Sequence, residues 1–389
     1  CHAEFPWQRG VAQLYDLLES QGYHPVLLAR RPRLVEASDR GKPYRVEYFP
    51  GDESVRLPPP VDRRWTSWLT AVGERLGLSA LIVRESLIAP WGVAAARVLG
   101  IPVALDMREN LAAMYAAGAD SRGVLGRLVR SRPIVRRFEA NIVPHFDHVF
   151  FVSEELKAWA CGEYGIAEGR SSVLMNVPSR SYEELAETAL ITPRRSDGST
   201  LLIFAGYLRK NRGVQDIVRA IPLLRERGLD VRMRVIGSGD YSEPLSRLVG
   251  EMDLGSVVNM EGMLPASEVP SAFCEADIGL CSYLLSEQTH QTIPGKLFEY
   301  MRVGLPVLSS ARRSVVRILD ATRCGVVYDS RDPGHIADRI ESMMRDREEL
   351  RSMGLRGLEA SRSTYSWRAN IDVVNSALSQ IGVPQPKMS

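Results

Sequence analysis

Cysteine is scarce: five in 389 residues, at Cys1, Cys161, Cys274, Cys281 and Cys324, with no C-x-x-C pair and no zinc-like spacing. A chain of this kind offers neither a disulfide framework nor a structural zinc site, and it fits a reducing compartment. No apolar run approaches the roughly 20 residues that span a bilayer, and no signal-peptide pattern is present, so the expected location is the cytoplasm. An excess of one charge is also missing. The formal net charge is +2, which gives no ground for nucleic-acid binding, although arginine outnumbers lysine and clusters locally. Neither G-x-G-x-x-G nor G-x-x-x-x-G-K-[ST] occurs, which argues against a dinucleotide oxidoreductase and a P-loop enzyme.

What is present is a globular composition, 45% apolar and 25% charged, in a chain long enough for two domains. Helix and strand patterns alternate. The first half reads as a helix over about 11–21, strands at His24–Ala29 and Arg45–Phe49, a helix over about 64–76, the strand Ala80–Val83, a helix over about 88–99, and the strands Pro102–Asp106 and Phe146–Val152. That alternation predicts a doubly wound parallel sheet. In a βαβ unit the loop Cys1–Gly10 should follow a strand, and none precedes it, so the expectation is a true N-terminus further upstream. The second half restarts with strands at Leu201–Ala205, Val231–Ile236, Val257–Met260, Asp277–Cys281, Pro306–Ser309 and Gly325–Tyr328. The polar stretch Glu183–Thr200 reads as a linker. The expected division is therefore 1–190, 191–366, and a last helix in 367–389 packing back on the first domain, with a cleft between two Rossmann-like halves.

One stretch organises the second half: Thr292-Ile293-Pro294-Gly295-Lys296-Leu297-Phe298-Glu299-Tyr300-Met301. Pro294 suits a first helical turn, and Gly295 permits close approach to the backbone. Free N–H groups at that helix start, with Lys296 in the first turn, make an anion site suited to a diphosphate. Glu299 lies one turn further in and could hold a ribose diol; the alternative is an ordinary capped helix whose Glu299 is solvated or paired with Arg302. Gly206-x-Leu208-x-x-x-Arg212-Gly213 is a strand-to-helix turn, and Arg212 suits bidentate phosphate contact. Ligands bind at the carboxyl ends of such strands. In the first half that rim carries Arg84, Glu85, Asp106, Arg108 and Glu109, which could equally form surface ion pairs between sequence neighbours.

Taken in order, Phe204-Ala205-Gly206-Tyr207-Leu208, Arg212-Gly213, Val235-Ile236-Gly237-Ser238-Gly239, Met260-Glu261-Gly262-Met263, Ala276-Asp277-Ile278-Gly279-Leu280 and the run from Pro294 to Val307 resemble the donor domain of retaining GT-B glycosyltransferases, the group with an E-x7-E motif. The resemblance spans about 201–370. It implies an α/β fold of the GT-B type, with a C-terminal domain for a nucleotide-sugar and an N-terminal domain for the acceptor. Glu299 takes the place of the second glutamate, which binds the ribose, and Arg212 that of the diphosphate clamp. Donor contacts fall on Gly206, Tyr207, Arg209, Lys210, Gly213, Gly237, Gly262, Met263, Gln291, Thr292, Ile293, Pro294, Gly295 and Glu299. The sequence departs from the family at two points. Gln291 replaces the first glutamate, and Tyr207 replaces an arginine that Arg209, Lys210 or Lys296 would offset.

The first half is similar to acceptor domains of bacterial cell-surface polysaccharide enzymes such as fucosaminyl transferases, through Leu105-Asp106-Met107-Arg108-Glu109-Asn110-Leu111. The resemblances imply catalytic roles for Arg212, Arg108 and Glu109; the helix start adds Lys296 to them, and the strand-end rim offers Arg84 and Glu85 to the acceptor. No cofactor is expected, and no metal, because no acidic pair is placed to bridge a cation to phosphate. His145 and His148 read as structural. The segment Ser121–Phe138 interleaves arginines with aliphatic residues and contains no acid. It fits either an anionic membrane interface at the inner face, delivering a lipid-linked acceptor, or a core-facing helix with a solvated basic side. A sugar-nucleotide epimerase and a non-catalytic nucleotide-sugar-binding subunit are the rival readings.

Overall fold

The computed structural model describes residues 9–30, 45–50, 63–116, 131–191 and 198–386. The chain forms two compact units, Cys1–Leu174 with Asn370–Ser389, and Met175–Ala369.

In the first unit, β1 (Leu27–Arg30) and β2 (Val46–Phe49) form a parallel pair. A four-stranded parallel sheet runs β3 (Leu81–Arg84), β4 (Val103–Met107), β5 (His148–Phe151), β6 (Ser171–Val173) in that order. Val83, Leu105, Val149 and Phe151 of this sheet pack with Val93 and Ala96 of the helix Ala89–Leu99. The register sets Arg84 beside Asp106 and Asp106 beside Phe150, so the carboxyl ends finish level. The C-terminal segment joins this unit: Asn375 donates to Gln21 at 3.0 Å, and Gln380 to the Gly169 carbonyl at 2.5 Å.

The second unit has six parallel strands: β7 (Thr200–Ala205), β8 (Val231–Ile236), β9 (Val258–Gly262), β10 (Ile278–Cys281), β11 (Val307–Ser310) and β12 (Gly325–Tyr328), ordered β12-β11-β10-β7-β8-β9. Successive residues of β7 feed opposite cores. Ile203 and Ala205 pack with Phe298 and Met301, while Leu202 and Phe204 pack with Ile217 and Ile221. Helices therefore cover both faces, as a parallel sheet requires. Strand order reverses between β7 and β10, and that switch point is where such sheets bind ligands.

Three expectations are corrected. The stretch read as a linker begins with a helix, Arg180–Ala189, capped by Ser179 Oγ, which accepts from the Tyr182 N–H at 3.3 Å. Its Tyr182, Ala186 and Ala189 are buried with Leu201 and Phe273, so this helix belongs to the compact unit that starts at Met175. Pro294 is the cap residue rather than part of the first turn, with φ −70° and ψ 131°. A helix at Arg313–Thr322 was not foreseen, because its start lacks a Ser, Thr, Asn or Asp cap. Of the basic segment, residues 121–130 lie outside the described residues.

Candidate active site

The helix Gly295–Arg302 is fixed to the sheet by Tyr300. A Cβ on Gly279 of β10 would stand 2.7 Å from the Tyr300 ring, so the missing side chain lets the ring lie across the strand. Tyr300 Oη accepts from the Ala205 N–H at 3.2 Å and faces the Ile203 carbonyl at 3.4 Å, fastening the helix to the end of β7. The first turn thereby sits at the switch point. Lys296 Nζ lies 2.7 Å from Glu299 Oε2, and Glu299 is buried. Arg302 pairs instead with Glu187 at 3.0 Å. Glu299 is thus neither solvated nor partnered by Arg302; it is a buried carboxylate beside a cation in the first turn.

The turns after β7, β8 and β9 continue the backbone pairing of their strands. Gly206 N–H donates to the Ile236 carbonyl at 2.9 Å, Leu208 N–H to Ser238 at 3.0 Å, and Gly237 N–H to Gly262 at 2.6 Å. A Cβ on Gly237 would stand 1.9 Å from the Gly206 oxygen, and one on Gly239 2.2 Å from the Leu208 oxygen. These two glycines serve close backbone approach between neighbouring turns. Around them Tyr207, Arg209, Lys210 and Met263 are exposed, and the Arg209 guanidinium lies 5.0 Å from the Tyr207 ring centre. A single 3-10 turn, Lys210–Arg212, leads through left-handed Gly213 into the helix Val214–Glu226.

Arg212 does not stand alone. Its guanidinium carbon is 4.5 Å from the ring centre of Tyr283, just after β10, and that of Arg312, just after β11, is 4.3 Å from the same centre. Ser282 Oγ, Gln215 Oε1 and Arg312 Nε are buried here without hydrogen-bond partners among the described residues. Gln291 is buried at the end of the short helix Glu287–Gln291, and Thr292 Oγ1 donates to the Gln288 carbonyl at 3.2 Å. Ile293 packs its side chain into the core with Leu297 and Phe298, which leaves only its backbone for any ligand. Tyr283 and Arg312 were missed in the sequence. The paired arginines Arg312-Arg313 directly after a strand were the signal available.

In the first unit Arg84 and Arg108 both close on Asp106, at 3.0 and 2.5 Å, and Asp106 is fully buried. The expected neighbour pairs give way to one aspartate between two guanidiniums. Glu85 has φ +73°, a conformation non-glycine residues rarely hold, and its N–H donates to the Asp106 carbonyl at 3.2 Å. Glu85 is exposed, yet the protein around it desolvates its carboxyl and pushes it up, against the pull of Arg84. Glu109 is exposed, and Asn110 caps the helix Leu111–Ala116 through the Ala113 N–H at 2.9 Å. His145 is exposed; His148 is buried in β5 with Nε2 2.8 Å from Ser172 Oγ. A hollow of about 760 Å³ lies at the opposite, amino ends of β4 and β5, where Asp147 and Arg170 are spent on backbone groups.

Two α/β units with fully parallel sheets and a switch-point site in the second define a GT-B architecture. Residues 8–177 match Glycosyltransferase Family 4, and residues 191–359 match Glycosyl transferases group 1. The fold is similar to sucrose-phosphate synthase from Thermosynechococcus elongatus, with a TM-score of 0.72 at 16% identity over 96% of this chain and 92% of that one. Both halves of the chain thus match glycosyltransferase families, and the fold is that of the GT-B glycosyltransferases. It is 27% identical to the putative colanic acid biosynthesis glycosyltransferase WcaL of Escherichia coli (strain K12) over 46% of this chain, and spans 44% of that protein's length. It is 24% identical to the GDP-mannose-dependent alpha-(1-6)-phosphatidylinositol monomannoside mannosyltransferase of Mycobacterium tuberculosis (strain ATCC 25618 / H37Rv), over 94% of this chain and 93% of that protein. No helix among the described residues is long and apolar enough to cross a membrane.

Proposed function

We propose that the protein transfers a sugar from a nucleotide-sugar to a hydroxyl acceptor, with retention at the anomeric carbon. The observation that supports this reading is a pair of cations beside the two strands between which the order reverses: Arg212 rests on Tyr283, just after β10, and Lys296 lies against buried Glu299 in the helix that Tyr300 pins to the end of β7. Cations and N–H groups held in place before the reaction stabilise the charge that develops on a leaving diphosphate, so none of that charge requires a metal. Glu299 accepts hydrogen bonds from the ribose diol. The acceptor oxygen bonds to the anomeric carbon as the bond from that carbon to the diphosphate oxygen breaks, and the acceptor proton passes to the departing diphosphate. This front-face route uses no protein nucleophile.

The acceptor in this reading is a cell-surface glycan or a lipid-linked sugar. The names of the two relatives support it, one for colanic acid biosynthesis and one for a phosphatidylinositol monomannoside acceptor. Exposed Arg132, Ile134 and Arg137 on the helix Arg132–Ile142 also fit peripheral contact with an anionic membrane, while Val135 and Glu139 face the core. Co-sedimentation with anionic vesicles that falls with rising salt would support that contact.

The test is a thermal-shift screen of nucleotide-sugars followed by turnover of the best binder with glycan and lipid-linked acceptors, the product's anomeric configuration being read by NMR. Binding without turnover under any acceptor would favour a binding subunit, the reading to which Gln291 and Tyr207 lend support. Release of an epimer without acceptor would favour an epimerase.

A further inference from the structure

Arg312 is among the largest side chains buried whole in this protein, at 1% exposure. A buried guanidinium ordinarily has a carboxylate against it, because an unpaired charge in the interior is costly. Arg312 instead reaches the Cys281 carbonyl and Ser309 Oγ, each at 3.4 Å, and its Nε has no partner among the described residues. Those contacts are long, and the face of Tyr283 is a weak substitute for an anion. The same ring carries Arg212, so two positive groups share one aromatic face system at the ends of β10 and β11. Ser282 Oγ, buried and unpartnered, lies on the adjoining residue, whose backbone would stand 3.3 Å from a Cβ on Gly213. Among the described residues neither guanidinium has a carboxylate against it where the two cations meet. Meanwhile the position after Gly206 carries an exposed tyrosine and no charge.

We infer that Arg312 is a positioning residue of the diphosphate site: it holds Tyr283, on which Arg212 rests, and supplies a second positive charge whose counter-ion is the bound diphosphate. This rests on the reading of the site proposed above. Arg312 is buried behind Tyr283 and acts through that ring and through its field.

The experiment is calorimetric titration of the full chain with GDP and UDP, using guanosine and uridine as phosphate-free controls, on the unaltered protein and on Arg312→Met, Arg312→Lys and Tyr283→Leu. Arg312→Met should weaken nucleoside diphosphate binding about tenfold, well within the effect of one charge at a protein's effective dielectric, and leave nucleoside affinity unchanged. The free protein should melt no lower, since an uncompensated charge has been removed. Arg312→Lys should recover most of the loss, and Tyr283→Leu should reproduce it. Unchanged diphosphate affinity in folded Arg312→Met, or an equal loss for the nucleosides, overturns the inference. If Arg312→Met does not fold, the ratio of diphosphate to nucleoside affinity in Arg312→Lys against Arg312→Gln decides in the same way. Failure of the unaltered protein to bind either diphosphate would instead overturn the reading of the site itself.

Discussion

Tyr300 lies across Gly279 so closely that a Cβ on residue 279 would stand 2.7 Å from two ring carbons. Helix Gly295–Arg302 and β10 fit together because residue 279 has no side chain. Gly279→Ala should therefore cost about 1–3 kcal/mol, the usual range for forcing extra volume into a packed interior. The helix carrying Lys296 and Glu299 would be displaced as well. Denaturant unfolding combined with nucleotide titration checks both effects, and a variant with unchanged stability would show that the ring relaxes without strain.

Arg212→Ala should lower turnover by about 10²–10³, equivalent to roughly 2.7–4 kcal/mol, the scale for one preorganised donor to a developing anion. Arg209→Ala and Lys210→Ala should have much smaller effects, because both side chains stand in solvent at the lip of the same turn. Steady-state kinetics on the three variants separates them. Near-normal turnover in Arg212→Ala would put the phosphates elsewhere.

Glu299→Gln should weaken nucleoside diphosphate and nucleotide-sugar alike and leave any affinity for the free monosaccharide unchanged. A charged acceptor to a ribose hydroxyl contributes about 1.5–3 kcal/mol. The change also removes the negative partner of Lys296, 2.7 Å away. Calorimetry that found the nucleoside diphosphate bound as tightly as before would rule out the ribose role.

Much of this architecture was legible in the sequence because local pattern and burial agreed. β8 and β12 fall on the expected residues: β8 alternates apolar residues with arginines up to the turn at Gly237, and β12 starts at Gly325. Gly206 and Gly237 directly follow β7 and β8, and Gly213 is the left-handed cap of the helix Val214–Glu226. What escaped was decided by distant packing. The polar surface of Arg180–Ala189 hid a helix because its three core residues, Tyr182, Ala186 and Ala189, become apolar contacts only against Leu201 and Phe273. Ile293 adjoins the donor motif yet turns inward. Tyr283 and Arg312 lie apart in sequence and meet only because β10 and β11 are adjacent in the sheet.

The pH dependence of stability should come from two buried groups of the first unit with opposite signs. Burial, reinforced by Lys157 and Arg170, lowers the His148 pKa to about 4 from an ordinary 6.5. The unfolded chain then takes up a proton before the folded one does. Stability from this site is complete above 6.5 and is lost as pH falls towards 4, with a slope of at most about 1.4 kcal/mol per pH unit. Glu139 behaves in reverse. Burial raises its carboxyl pKa, although Ser86 Oγ at 2.6 Å and Tyr164 Oη at 2.8 Å donate to it. The folded chain keeps that proton after the unfolded one has released it, so its contribution is complete below the ordinary carboxylate value and declines as pH rises through the raised one. His148→Gln, which keeps a partner for Ser172, should flatten the acid limb, and Glu139→Gln should remove the decline on the other side. Urea unfolding of the first unit at half-unit pH steps reads both slopes, and the double variant should show the sum of the two changes. An acid limb unchanged in His148→Gln would mean that His148 takes up its proton in the folded protein as readily as in the unfolded chain.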